Sequence, residues 1–187
     1  MATRPSAKAL PATYARPARW IHWATAIAVL LVIPAGIAMM NLPSGRAQDQ
    51  LFDLHRSLGI LILTLAVLRV VARILFRVPP APAGVPRWQW LAANVVHYLL
   101  YALIFVMPLL GWACSSAFGA KVRVFGLFTL PDLVAKNEAM SDFYGQIHAV
   151  LGFVMAGLVV LHILAGLYHG FVRRDGVLSR MLPSSGR

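Results

Sequence analysis

The sequence predicts an all-α fold, a transmembrane four-helix bundle with its N- and C-termini cytoplasmic. Of the 187 residues, 59% are hydrophobic and only 12% are charged, where a soluble domain carries roughly a quarter charged residues. Four apolar stretches each approach or exceed the roughly 20 residues needed to cross a hydrocarbon core. The basic residues gather on one side of those stretches. A single bundle uses most of a chain of this length. The expected organisation is therefore one membrane domain over residues 20–171, with tails at 1–19 and 172–187.

Residues 1–19 mix Pro, Ala and Thr with Arg4, Lys8, Arg16 and Arg19 and have no periodic apolar face, so they read as a mobile tail. The first span, about 20–40, is apolar apart from His22 and Thr25. It is too long for the hydrophobic part of a cleaved signal peptide and reads as a retained helix. Residues 41–53 contain Pro, Gly, Ser and two Asp and form a connection. The second span, about 54–76, starts polar with His55 and Arg56. Four prolines and a glycine between 77 and 89 cannot continue a helix, so they link to the third span, about 90–113, in which Pro108 is tolerated as a kink. A longer loop reaches residue 142, and the fourth span is about 143–171. No internal repeat stands out.

Four spans with both termini on one side divide the charges unevenly. The terminal side collects Arg4, Lys8, Arg16, Arg19, Arg69, Arg73, Arg77, Arg87, Arg173, Arg174, Arg180 and Arg187 against Asp175 alone. The opposite side balances five basic residues with five acids. The positive-inside rule then puts both termini in the cytoplasm. A net charge of +11 is accounted for by topology, and nucleic acid is not an expected partner.

Cys114 is the only cysteine. The chain can form neither an internal disulfide nor a CxxCH site for covalent haem attachment. Six histidines, His22, His55, His97, His148, His162 and His169, fall inside or at the edge of the spans, where ionisable residues are costly and point to function. On the fourth span, intervals of fourteen and seven residues separate His148, His162 and His169, which places them on one helical face. A rise of 1.5 Å per residue sets His148 and His162 roughly 21 Å apart along the axis, enough for two haems stacked across one bilayer. Depth pairs His55 with His148 on the outer side. On the inner side it allows either His22 or His97 to face His162.

The segments YARPARWIHW (14–23), LHRSLGILILTLAVLRVVAR (54–73), HYLLYALIFVMPLLG (97–111) and QIHAVLGFVMAGLVVLHILAGLYH (146–169) resemble the bacterial cytochrome b561 family, including its superoxide oxidase type. More distantly they resemble cytochrome b subunits of membrane hydrogenases and formate dehydrogenases. The resemblance implies a dihaem b-type cytochrome of the inner membrane. It implies His22 with His162 for the cytoplasmic-side iron and His55 with His148 for the periplasmic-side iron, which resolves the choice against His97. It further implies ubiquinone as electron acceptor, with His169 matching a residue of quinone or proton handling. The expected activity is electron transfer from periplasmic superoxide to ubiquinone. The alternative is an electron-carrier or membrane-anchor subunit serving a separate periplasmic redox protein.

Haem propionates need cationic partners near each surface. Arg16 and Arg19 are candidates on the inner side and Arg56 on the outer, with topology or snorkelling as the competing explanation. Gly59, Gly152 and Gly166, each one turn after a ligand candidate, would let a macrocycle approach the backbone, although small residues are common wherever membrane helices meet. Met155, midway between His148 and His162, reads equally well as ordinary core. In the long outer loop, Lys121 and Arg123 would draw in an anionic donor such as superoxide, with generic loop charge as the favoured competing explanation.

Overall fold

The computed structural model describes residues 12–82 and 84–182. Arg4, Lys8, Arg187 and the outer parts of both expected tails lie outside the described residues. Four long helices, α1 (Arg16–Asn41), α2 (Arg46–Leu75), α3 (Arg87–Phe118) and α4 (Glu138–Leu167), run up and down as a bundle. Each is long and apolar enough to cross a membrane. The helix ends follow local chemistry. Pro17 sits in the first turn of α1, where its missing N–H has no partner to lose and its fixed φ suits the helix. The helix therefore begins at Arg16, inside the segment expected to be tail. At the other end, α3 runs on to Phe118 and stops at Gly119, whose φ of 91° is the left-handed conformation that closes helices. Asn137 caps α4 by accepting the Met140 N–H.

Between α3 and α4 lies a two-stranded antiparallel hairpin, β1 (Arg123–Val124) and β2 (Phe128–Thr129), turned by Phe125 and Gly126 at positive φ. Ser57 fixes it to α2. Its buried hydroxyl accepts the Phe125 N–H at 2.9 Å and reaches the Asp53 and Arg123 carbonyls at 2.7 and 3.0 Å. After α4 the chain widens into a π turn (Tyr168–Arg173), reverses, and ends the described residues in a short 3-10 turn (Leu178–Arg180). The described part of the segment expected to be a C-terminal tail, residues 172–182, is thus folded back on the bundle. Arg19 and Trp23 of α1 donate to the Leu182 and Met181 carbonyls, each at 2.8 Å.

The core includes Val29 and Val32 of α1, Ile62 and Ala66 of α2, Leu103 of α3 and Met155 of α4. Met155 is accordingly a core residue. On α4 only Ser141 and Met155 are buried, so the helix with the most histidines leaves most of its surface outside the apolar core.

The two hairpins, α1–α2 and α3–α4, repeat one another, contrary to the expectation from sequence. A shift of 75 residues carries His22 to His97 and Gly36 to Gly111, and a shift of 93 carries His55 to His148 and Arg69 to His162. Between 55–72 and 148–165, 7 of 18 positions are identical, and the geometry repeats as well. His55 lies against Gly36 of its hairpin partner, and His148 against Gly111 of its own. Connections of unequal length had concealed the relation, because Gly111 and His148 are 18 residues further apart than Gly36 and His55.

Candidate haem site

The histidines meet at two levels of the bundle. At the loop end, the rings of His55 on α2 and His148 on α4 have centroids 6.0 Å apart. At the terminal end, His22 on α1 and His162 on α4 are 6.2 Å apart. Two imidazoles on opposite sides of one iron, each bonded at about 2 Å, put their centroids roughly 6 Å apart. Both separations fit that requirement. His97 on α3 lies 5.2 Å from His162, closer than two ligands of one iron would stand, and its side chain is the more exposed. Among the described residues no three His, Cys, Asp or Glu side chains converge as a metal-binding group. The arrangement is one of facing pairs.

At the loop-end pair, proton positions favour ligation. His55 Nδ1 lies 3.0 Å from the Val32 carbonyl, an acceptor only, so Nδ1 carries the proton and Nε2 presents a lone pair. A Cβ at Gly36 would stand 2.9 Å from His55 Cε1, and one at Gly111 would stand 3.1 Å from His148 Cε1. Glycine is what lets each ring lie against the neighbouring helix. His148 Nδ1 is buried without a partner in hydrogen-bond geometry, although the Met107 carbonyl lies on that side. Val32 and Met107 each sit four residues before their glycine, so the pattern of carbonyl, glycine and imidazole is the same in both hairpins.

The terminal-end pair is arranged differently. Arg69 Nη1 lies 2.9 Å from His22 Nδ1, and a guanidinium only donates. His22 Nδ1 must accept, which puts the proton of its neutral ring on Nε2. For Nε2 to hold an iron, the Arg69 contact has to open. Arg69 also stacks over the Tyr101 ring at 5.0 Å, which gives the guanidinium a second resting place.

The remaining candidates fall in several environments. Arg16 is exposed at the start of α1, and Arg19 is buried and tied to the C-terminal segment. Arg56 donates to Ser115 Oγ and Asp53 and lies over the Phe52 ring. A Cβ at Gly59 would meet open space, at Gly152 it would meet Met107 at 3.6 Å, and at Gly166 it would meet Leu178 at 3.9 Å. None of these three glycines touches a histidine ring. Lys121 pairs with Asp132, which reduces its reach as a free cation. His169 stands apart from the ligand pairs, with its Nδ1 2.6 Å from Asp175 Oδ2. Gly36, Gly111 and Arg69 are the residues sequence reasoning missed. The shared 75- and 93-residue shifts are the signal that could have found them.

Residues 13–184 match the family described as prokaryotic cytochrome b561. The chain belongs to that family. It is 35% identical to "Cytochrome b561 homolog 2" of Escherichia coli (strain K12) over 88% of each chain. It is 31% identical to "Probable superoxide oxidase CybB" of Yersinia pestis over 87% of this chain and 92% of the relative. "Cytochrome b561 homolog 1" of the same E. coli strain is 27% identical over 88% and 93%. As a cytochrome b561 the protein is a multi-pass bacterial membrane protein of electron transport, in a family whose members bind b-type haem.

Proposed function

We propose that the protein is a dihaem cytochrome of the inner membrane that passes electrons from periplasmic superoxide to ubiquinone. The observation that carries the reading is the fourteen-residue interval between His148 and His162 on one helix, with each ring facing a histidine of another helix at about the spacing one iron requires. In this reading His55 and His148 hold one haem, and His22 and His162 hold the other, within a unit spanning residues 20–171. Each haem, when bound, supplies a one-electron iron couple. Held by His55 with His148 and by His22 with His162, each iron would have no open position, and electrons would enter and leave at the haem edges rather than through bound oxygen. The excess of basic residues at the terminal end supports cytoplasmic termini, and the family resemblance supports quinone reduction on that side. The relative named a probable superoxide oxidase supports the donor, as does Arg123 at the loop end, where a cation raises the local concentration of an anion.

Haem content of purified single variants tests the ligands. His22→Ala, His55→Ala, His148→Ala and His162→Ala each leave one haem per chain, and His97→Ala leaves two. A haem lost from His97→Ala and kept in His22→Ala would transfer the terminal-end iron to His97. The donor is tested by following haem reduction in superoxide from xanthine oxidase with no second protein present. Without rapid reduction, the function narrows to relaying electrons for a separate periplasmic redox protein.

A further inference from the structure

The hairpin between α3 and α4 carries a group of apolar side chains that the bundle leaves uncovered. Along β1 burial alternates, with Val122 and Val124 inside and Lys121 and Arg123 outside, as in a strand with one supported face. The alternation stops at the turn. Every residue from Phe125 to Thr129 is exposed, and Leu127, at 81%, is the most exposed large apolar side chain among the described residues. Phe125 and Gly126 reverse the chain at φ of 50° and 72°, and the Leu127 N–H donates to the Val124 carbonyl at 2.9 Å. Corners of this kind draw Asn, Asp or Gly, and a bulky residue in them is strained.

The turn itself has no use for a phenylalanine. Its hydrogen bonds take only backbone groups from the hairpin: the Phe125 N–H and the Arg123 carbonyl meet Ser57 Oγ, and the Leu127 N–H meets the Val124 carbonyl. An asparagine at 125 would make the same bonds with less strain. What these bonds fix is depth. Ser57 stands where α2 changes character, because residues 46–56 include Arg46, Asp49, Asp53 and Arg56 whereas 58–68 contain no charged residue. It therefore marks the level at which α2 enters the hydrocarbon. Leu54 and Leu61, about one turn to either side on the same face of α2, are exposed as well. Leu61 belongs to the apolar stretch that crosses the membrane, so its exposed side faces lipid. The hairpin tip continues that surface.

We propose that Phe125, Leu127 and Phe128 form an interfacial anchor, inserted between the headgroups and acyl chains of the leaflet at the loop end of the bundle. Apolar side chains are stabilised by leaving water in proportion to the area covered, and the headgroup–acyl boundary accepts them while the nearby backbone stays hydrated. Lipid is the occupant that the surroundings favour. The apolar patch runs on into the lipid-facing side of α2 instead of ending in the polar rim that surrounds a docking site for a soluble protein. Lys121 is paired with Asp132 toward the open end of the hairpin, away from the tip. Arg123, two residues before the turn and exposed, has a stem long enough to carry its charge to a lipid phosphate. Through Ser57, two residues from His55, the anchor holds the loop end of α2 at one depth in the membrane.

The test measures the depth of a spin label on the full-length protein in nanodiscs of phosphatidylethanolamine and phosphatidylglycerol. The label is placed by Leu127→Cys in a Cys114→Ser background and compared with one placed by Glu138→Cys at the start of α4. Oxygen concentrates among acyl chains, and a nickel chelate stays in water. The label at 127 should meet oxygen several-fold more often than nickel, and the label at 138 should show the reverse. Nickel access at 127 equal to that at 138 would overturn the proposal and leave the tip in water, as a face for another protein. A label at 127 reached by neither reagent would overturn it too, since the tip would then be packed against protein. Phe128→Cys takes the place of Leu127→Cys if that variant loses helical circular dichroism. Adding Phe125→Asn should keep the turn and raise nickel access at 127. Unchanged access in that variant would overturn the part assigned to the Phe125 ring.

Discussion

The position a Cβ would take on Gly36 lies 2.9 Å from Cε1 of His55, so the conformation of a ligand candidate on α2 depends on the absence of a side chain on α1. Gly36→Ala forces the ring to move. That motion stretches the 3.0 Å contact between His55 Nδ1 and the Val32 carbonyl, which fixes the tautomer. In the dihaem reading the expected outcome is loss of the loop-end haem, with content falling from two per chain toward one by pyridine haemochrome assay. Gly111→Ala, at 3.1 Å from His148 Cε1, should weaken the same haem less. Full haem content in Gly36→Ala would refute the dependence.

Much of this architecture was legible in the sequence because its signals are local. Apolar length gives the spans, and the helical period puts His148 and His162 on one face. What stayed hidden depends on neighbouring helices. Nothing near Gly36 in the chain indicates that His55 will lie on it, and Gly59, one turn from His55, was the nearer guess. The hairpin Arg123–Thr129 lengthens one connection and so conceals the repeat that equates Gly36 with Gly111. The segment after α4 looked like a polar tail because its anchors, such as Arg19 with the Leu182 carbonyl, join residues at opposite ends of the chain.

Arg69 occupies the place in the first hairpin that His162 occupies in the second, and its guanidinium contacts His22 at 2.9 Å. In the proposed dihaem state the guanidinium leaves His22 Nδ1 but stays near the iron that His22 would hold, and a cation there stabilises the reduced, less positive iron. At an effective dielectric of about 20 and roughly 7 Å, the interaction is about 2 kcal/mol, on the order of 100 mV for one electron. Arg69→Leu should therefore lower the potential of the terminal-end haem by tens of millivolts, up to that limit, and leave the loop-end haem nearly unchanged. A redox titration of the α band reads both. Equal shifts in the two haems would show that Arg69 acts through the fold rather than beside one iron.

Ser57 is buried, and its hydroxyl joins α2 to the outer hairpin at Phe125 and Arg123. Ser57→Ala leaves the Phe125 N–H without its acceptor, at a cost of about 1–3 kcal/mol. Hydrogen exchange at the Phe125 amide should speed up markedly, with the amides of α4 unaffected. Unchanged protection at Phe125 would mean that water replaces the hydroxyl without penalty.

Acid should release the C-terminal segment before it disturbs the helices. Partial burial tends to raise the pKa of Asp175, but hydrogen bonds from His169, Val177 and Arg173 and the charge of His169 together hold it below the ordinary value of 3.8. A carboxyl depressed by folding adds stability that is fully present above that ordinary value and is lost as pH falls through the lowered one. Protonation removes the negative partner of Arg173 and His169 together. Cleavage of the 174–182 segment by an acid-active protease should therefore rise as pH drops below about 4, while helical circular dichroism holds steady. Asp175→Asn should show the higher cleavage already at neutral pH and little further change on acidification. If wild type and Asp175→Asn respond to acid alike, the segment is held by its carbonyl contacts with Arg19 and Trp23 rather than by the carboxylate.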